Sequence, residues 1–298
     1  QHNQSAVLNR VVGQNPSQIL GQLLSNGRVF VINPNGVVFG ANARIDTQGL
    51  LASSLNLSNE NFLSGNFHFV AGSESGDIRN EGIIHTATDG NIVLIAPHIE
   101  NSGVIQSDGG KIVLAAGEQL TLTSLDDPEI SYQVQAPENS VLNVGQLLSQ
   151  GGAIDLFAGT IIHSGEINVN SVEIDEQGNI HLLASADIHL TEDSLTLADN
   201  TATSGQAGDV HIESNQGTSW IQGSVSASAI NEGTGGEVHL LGEHVGLLDQ
   251  ATVSAEGARG GGKILVGGDY QGTNLEIKNA QATYVNQSVQ ISANALSD

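Results

Sequence analysis

Three histidines recur at one position of a short repeated pattern, and chemistry would be sought there first. The pattern is Gly-x-(Ile/Val)-x-(Leu/Ile/Val). His181, His211 and His239 take its fourth place in GNIHL, GDVHI and GEVHL, and Asp155 holds that place one copy earlier, in GAIDL. If successive copies stack, Asp155, His181, His211 and His239 form an outward ladder, because Ile180, Val210 and Val238 beside the histidines then face the other way. Imidazoles and a carboxylate could bind zinc, but a straight ladder lacks the tetrahedral geometry that zinc sites need. The expectation is a polar surface ladder that titrates near about pH 6, with no metal site.

Other chemistry is harder to place. Glycoside hydrolysis needs two carboxylates at a set separation. Acidic residues are plentiful, but none clusters with a base, and Asp126-Asp127 sit in a proline-containing segment that reads as a solvated turn. The glycine-rich EGARGGG at Glu256–Gly262 lacks the Lys-Ser/Thr and the helix of a phosphate loop. Cysteine is absent, which removes disulfides, thiolate metal sites and thiol nucleophiles. Arg10, Arg28 and Arg44 are expected to be solvated or paired. The chain is read as a non-enzyme that needs no cofactor.

The elements that must carry these residues follow from the repeat itself. Seven copies begin at Gly90, Gly110, Gly152, Gly178, Gly208, Gly236 and Gly262, in steps of 20 to 42 residues. Weaker strands lie between them, among them Ile83-Ile84, Val104-Ile105, Glu166-Ile167 and Thr252-Val253. Self-similarity of this period marks a repeat architecture, in which each unit buries its apolar face only by stacking on the next. Short strands without long helical periodicity predict an all-β parallel β-helix, with coils about 4.8 Å apart. The longest step holds Pro128, Pro137 and four acids within residues 124–138, so an excursion or hairpin insertion is expected over 126–150. A surface loop is expected over Asn200–Gly208. One helical candidate runs from Asn15 to Leu24, with Asn15 as N-cap and Pro16 at the first helical position.

Composition narrows the partners. Residues 1–80 carry four basic and four acidic side chains, whereas 81–298 carry four basic and 28 acidic ones, which accounts for the net charge of −24. Binding nucleic acid or anionic lipid would need Lys and Arg, so neither is expected as a partner. No apolar run reaches the roughly 20 residues of a membrane span, so no membrane insertion is expected. The first residues are not a signal peptide, and the chain reads as cut from something longer at both ends.

The most rigid local element is Asn33-Pro34-Asn35-Gly36, set between the β-type runs Val29–Ile32 and Val37–Phe39. Pro34 fixes its φ, Asn35 tolerates unusual backbone geometry and Gly36 accepts positive φ. The Asn33 side chain can close an Asx-turn on the backbone two residues on. The expected result is a strand, a fixed corner and a second strand.

The stretch Asn9 to Ser54, NRVVGQNPSQILGQLLSNGRVFVINPNGVVFGANARIDTQGLLASS, resembles the N-terminal secretion domain of the filamentous haemagglutinin family. These are the exoproteins of two-partner secretion in Gram-negative bacteria. The family's Asn-Pro-Asn-Gly-(Ile/Val/Leu) motif is matched by Asn33, Pro34, Asn35, Gly36 and Val37. Asn9, Arg10, Asn15 and Pro16 form a secondary motif upstream, and similarity continues more loosely to about residue 120. The resemblance implies a right-handed parallel β-helix with short extra-helical elements near the N-terminal end. It also implies recognition by an outer-membrane transporter with periplasmic POTRA domains, and export through the periplasm to the medium or cell surface. On this reading residues 1–125 form an N-terminally truncated secretion domain, 126–150 an insertion and 151–298 the early shaft of an adhesin. Host-cell or matrix carbohydrate or protein would be bound by regions beyond this chain. The alternatives are the carrier region of a haemolysin or contact-dependent inhibition toxin, and a carbohydrate-active β-helix protein. The Asn33–Gly36 corner would fix the register of the first coils, or else contact the transporter directly.

Overall fold

The β-type runs pair in parallel, one coil on the next. The structure, a computed structural model, describes residues 5–173, 176–229 and 231–297. It divides into two compact units, Gln1–Leu147 with Leu156–Gly159, and Leu148–Asp155 with Thr160–Asp298. The fold is a right-handed parallel β-helix, and each unit contributes a run of coils with three strand ladders.

In the first unit, one ladder joins Ala6–Arg10, Arg28–Ile32, Gly49–Ser53, Ile92–Ala96 and Lys111–Ala116. A second joins Ser17–Ile19, Val37–Phe39, Ile78–Asn80, His98–Asn101 and Ser140–Asn143. A third joins Gln22–Leu24, Arg44–Thr47, Ile83–Thr86 and Val104–Ser107. The first ladder reads as continuous apolar runs because it is buried on both sides. Ile92, Leu94, Ile112 and Leu114 are fully buried. Phe30, Leu51, Val93 and Val113 join a second cluster with Phe67, Phe69, Leu120 and Leu122. That cluster lies under a lid of extra-helical elements. Phe67–Val70, Gln119–Leu122 and Ile130–Val134 form an antiparallel sheet, and Phe62 of the helix Asn59–Ser64 meets Phe30 edge to face at 5.0 Å.

In the second unit the first ladder runs through Asn179–Ala184, the start of Asp209–Ile221, the start of Glu237–Leu247, and Lys263–Val266. The second ladder joins Ile161–His163, Ile188–Leu190, the later halves of the two long strands, and Ala282–Val285. The third joins Glu166–Asn168, Leu195–Leu197, Ser224–Ser226, Thr252–Ser254 and Gln290–Ser292.

The repeat glycines are explained by close approach. A Cβ on Gly110 would overlap the backbone of Gly90; one on Gly208 would overlap Gly178, on Gly236 would overlap Gly208, and on Gly262 would overlap Gly236. A second device is a buried asparagine ladder in the first unit. Asn80 Nδ2 donates to Asn101 Oδ1 at 2.8 Å, and Asn101 Nδ2 donates to Asn143 Oδ1 at 2.8 Å.

Two expectations need correction. Residues 15–24 form no helix: Ser17–Ile19 pairs with Val37–Phe39, and Gln22–Leu24 pairs with Arg44–Asp46. A segment this short is marginal as a helix, so ladder bonds to the next coil prevail. The helix lies instead at Asn59–Ser64; Ser58 caps it through Asn61 N at 3.0 Å, and Gly65 ends it at φ 72°. Residues 200–208 are mostly bend and coil with some side chains exposed, pinned to the stack at one short pairing. Gly205–Gln206 pairs with Gly233–Thr234, and the buried Asn200 donates to Gln206 O at 3.1 Å. The excursion expected to last to residue 150 ends earlier, because Ser140–Asn143 already pairs with His98–Asn101.

Candidate functional site

The corner at Asn33–Gly36 is stitched to the coil before it and the coil after it. Gly36 N donates to Asn33 O at 2.9 Å, closing the turn, and Asn35 N donates to Asn33 Oδ1 at 3.0 Å, the expected Asx-turn. Gly36 sits at φ 103°, which favours glycine, and a Cβ there would lie 2.6 Å from Asp77 O.

Asn33 is fully buried. Its Nδ2 donates to Asn15 O at 3.1 Å and Ser17 Oγ at 2.9 Å, and Asn35 Nδ2 donates to Gly13 O at 2.8 Å. Ser17 N donates to Gly36 O at 3.0 Å. On the other side, Asn33 N donates to Ser53 O at 2.9 Å, Gly76 N to Pro34 O at 2.8 Å, and Val37 N to Asp77 O at 3.0 Å. Val37, fully buried, opens the next strand. With Asn33 this enclosed, the corner acts as a structural joint, because burying an amide requires partners for all its polar atoms.

Part of the upstream motif comes to this joint and part does not. Asn15 supplies an acceptor, and Pro16 lies between the two contacting residues Asn15 and Ser17. Asn9 pairs with Val31 one strand away. The Arg10 side chain turns to the helix segment, donating to Asn56 Oδ1 at 2.7 Å, to Asn59 Oδ1 at 3.2 Å and to Leu57 O. Gly76 and Asp77 were not read from the sequence as parts of this site. Their signal was slight, a glycine and an aspartate inside a polar loop.

The histidine ladder exists in register. His181 pairs with His211 and His211 with His239, with ring centroids 6.4 and 5.6 Å apart. Each imidazole has its own carboxylate. His181 Nδ1 lies 2.8 Å from Asp155 Oδ1, His211 Nε2 lies 3.0 Å from Glu213 Oε2, and His239 Nε2 lies 3.0 Å from Glu237 Oε2. His211 thus reaches forward along its strand and His239 backward, so their Nε2 atoms diverge. Among the described residues no three His, Asp or Glu side chains are arranged to hold a metal ion.

The hydrogen bond from His211 holds Glu213 below the usual carboxylate range against the opposing effect of burial. Burial, and then the neighbouring His211, push His239 below the usual imidazole value. Asp126 and Asp127 pair across the first ladder, Asp126 with Arg28, and Asp127 with Lys111 at 3.0 Å. Asn91 Nδ2 donates to Asp126 O at 2.9 Å and tethers the same turn.

The TPS secretion domain family matches residues 1–240, and the chain belongs to that family. It is therefore part of a two-partner secreted exoprotein, a class exported through the periplasm of Gram-negative bacteria by a partner outer-membrane transporter. The match passes well beyond residue 125.

Among individual proteins, the chain is similar to the heme/hemopexin-binding protein of Haemophilus influenzae strain Rd, 32% identical over 174 residues. A second heme/hemopexin-binding protein of Haemophilus influenzae is 39% identical over 84 residues. These alignments cover 56% and 28% of this chain but 18% and 9% of the relatives, so the chain spans under a fifth of the curated relatives it matches. The crystal structure of the HMW1 secretion domain from Haemophilus influenzae matches with a TM-score of 0.76 at 34% identity, covering 99% of this chain and 71% of that one. Among the described residues no helix is long and apolar enough to cross a membrane.

Proposed function

We propose that this chain directs export of its parent exoprotein and then templates its folding, without catalysis or a cofactor of its own. POTRA domains of the partner transporter bind the chain before it folds. As the chain emerges, the corner at Asn33–Gly36 closes first and fixes the register on which later coils stack. The observation that carries this reading is the burial of Asn33, with side-chain bonds to Asn15 and Ser17 and a backbone bond to Ser53. A residue so enclosed is available to a transporter only before folding. Regions outside this chain act on a host surface as an adhesin. A second reading, capture of heme or a heme carrier by those regions, is favoured by the names of the two relatives.

The test is export of the parent's N-terminal region, with and without its transporter, as wild type, Asn33→Ala and Gly36→Ala. Asn33→Ala leaves buried partners unsatisfied at a cost of about 1–3 kcal/mol, and Gly36→Ala adds backbone strain at positive φ. Wild type is expected in the medium only with the transporter, and both variants are expected to be exported poorly. Export without the transporter would overturn the export reading. Normal export of both variants would overturn the role given to the corner.

A further inference from the structure

One register row on the second ladder of the second unit gathers scarce side chains. The chain has one Trp and three Tyr in 298 residues. Trp220 and Tyr284 nevertheless share a row, in which His189 pairs with Trp220, Trp220 with Gly246, and Gly246 with Tyr284. The flanking Ile188, Leu190, Ile221, Val245 and Leu247 are buried in the core, so by strand alternation His189, Trp220 and Gly246 point outward; Tyr284 pairs with Gly246 and takes the same side, on a strand whose four residues are all exposed. Tyr284 is 59% exposed and Trp220 is half-buried.

The glycine between them is shaped by the ring. A Cβ on Gly246 would lie 2.5 Å from Trp220 Cε3 and Cζ3, so the indole leans across this position towards Tyr284's coil. The two aromatic positions stand two coils apart, about 9.5 Å by strand spacing. Polar groups border the row: Gln222 Nε2 donates to Asp249 Oδ2 at 2.5 Å, Thr218 N donates to Asp187 Oδ1 at 2.8 Å, and His244 pairs with Thr218.

Aromatic rings spaced along an outward sheet face, edged by amide, imidazole and carboxylate groups, suit a sugar chain. The apolar C–H face of a pyranose packs on the negative face of a ring, while its hydroxyls need donors and acceptors at the edge. The outward positions of these strands carry no Lys or Arg, and Asp187, just before Ile188, and Asp249, just after Leu248, lie beside them. That charge disfavours sulfated or sialylated chains. We propose that the His189–Trp220–Gly246–Tyr284 row is a binding platform for a neutral linear glycan lying along the coil axis. The proposal does not rest on the export reading.

Trp220 is the chain's one tryptophan, so intrinsic fluorescence reports on this row directly. The probes are cellohexaose, maltohexaose, mannohexaose and chitohexaose, with a heparin octasaccharide as the anionic comparison. A saturable change in Trp emission with at least one neutral hexamer is expected, and none with heparin. Tyr284→Ala, an exposed site where folding is retained, is expected to weaken that binding about tenfold or more. Trp220→Phe, followed by calorimetry, is expected to weaken it similarly, whereas Tyr270→Ala leaves it unchanged. No response to any neutral hexamer, a response to heparin alone, or binding indifferent to both row variants would overturn the proposal.

Discussion

At the scale of residues, burial decides what the polar groups can do. Asn33 and His239 are both polar, yet one is a joint and the other a titrating group. Asn33 has a partner for each polar atom of its side chain, so it fixes geometry. His239 is held below its ordinary value of 6.5 by burial and by His211, with Glu237 opposing and Lys263 adding slightly. Asp269 also faces it, from the excursion that follows Val266. A base in this condition binds fewer protons folded than unfolded, so stability rises with pH across the window between its folded and unfolded values. Its contribution is complete above about 6.5 and is lost as pH falls through the folded value. Thermal melts between neutral and mildly acidic pH are expected to show a declining midpoint, and His239→Gln is expected to flatten that decline. An unchanged slope in the variant would place the acid sensitivity elsewhere.

At the scale of elements, parallel stacking turned a local pattern into structure. The Gly-x-(Ile/Val)-x-(Leu/Ile/Val) copies at Gly178, Gly208, Gly236 and Gly262 each lead into a strand of one ladder, which is why the histidine register was legible in advance. Gly27-Arg28-Val29-Phe30-Val31 fits the same pattern and leads into a strand of the first unit, in the stretch that holds the corner. The helix Asn59–Ser64 was harder to read, because a six-residue element is set by its caps and by Phe62 packing on Phe30, not by periodicity. The asparagine ladder was illegible for another reason. Asn80, Asn101 and Asn143 each stand two residues before a glycine, which in one dimension reads as turn chemistry. Only the coil stack brings the three amides together. Asn101→Ala is expected to cost about 2–4 kcal/mol, since it removes a shared partner from both buried neighbours, and urea unfolding of the secretion domain measures it. A loss under about 0.5 kcal/mol would show that backbone pairing alone holds the register.

At the scale of the whole molecule, charge is the dominant property. The formal net charge is −24, with a pI near 4.4, so self-repulsion keeps the chain soluble at neutral pH and fades on acidification. Turbidity is expected to peak near pH 4.4 and to be negligible at pH 7. A maximum displaced towards neutrality would point to association through exposed strand edges instead. The stacked glycines, finally, constrain inheritance. Gly110, Gly208, Gly236 and Gly262 each lie on the repeat glycine one coil before, and a one-residue slip would turn every inward side chain outward. Single-residue insertions within a strand are therefore expected to be costly, while duplication or loss of a complete coil changes only the interface at which it is made. Lineages of such chains should lengthen and shorten in whole-coil quanta, with the corners as the recombination points.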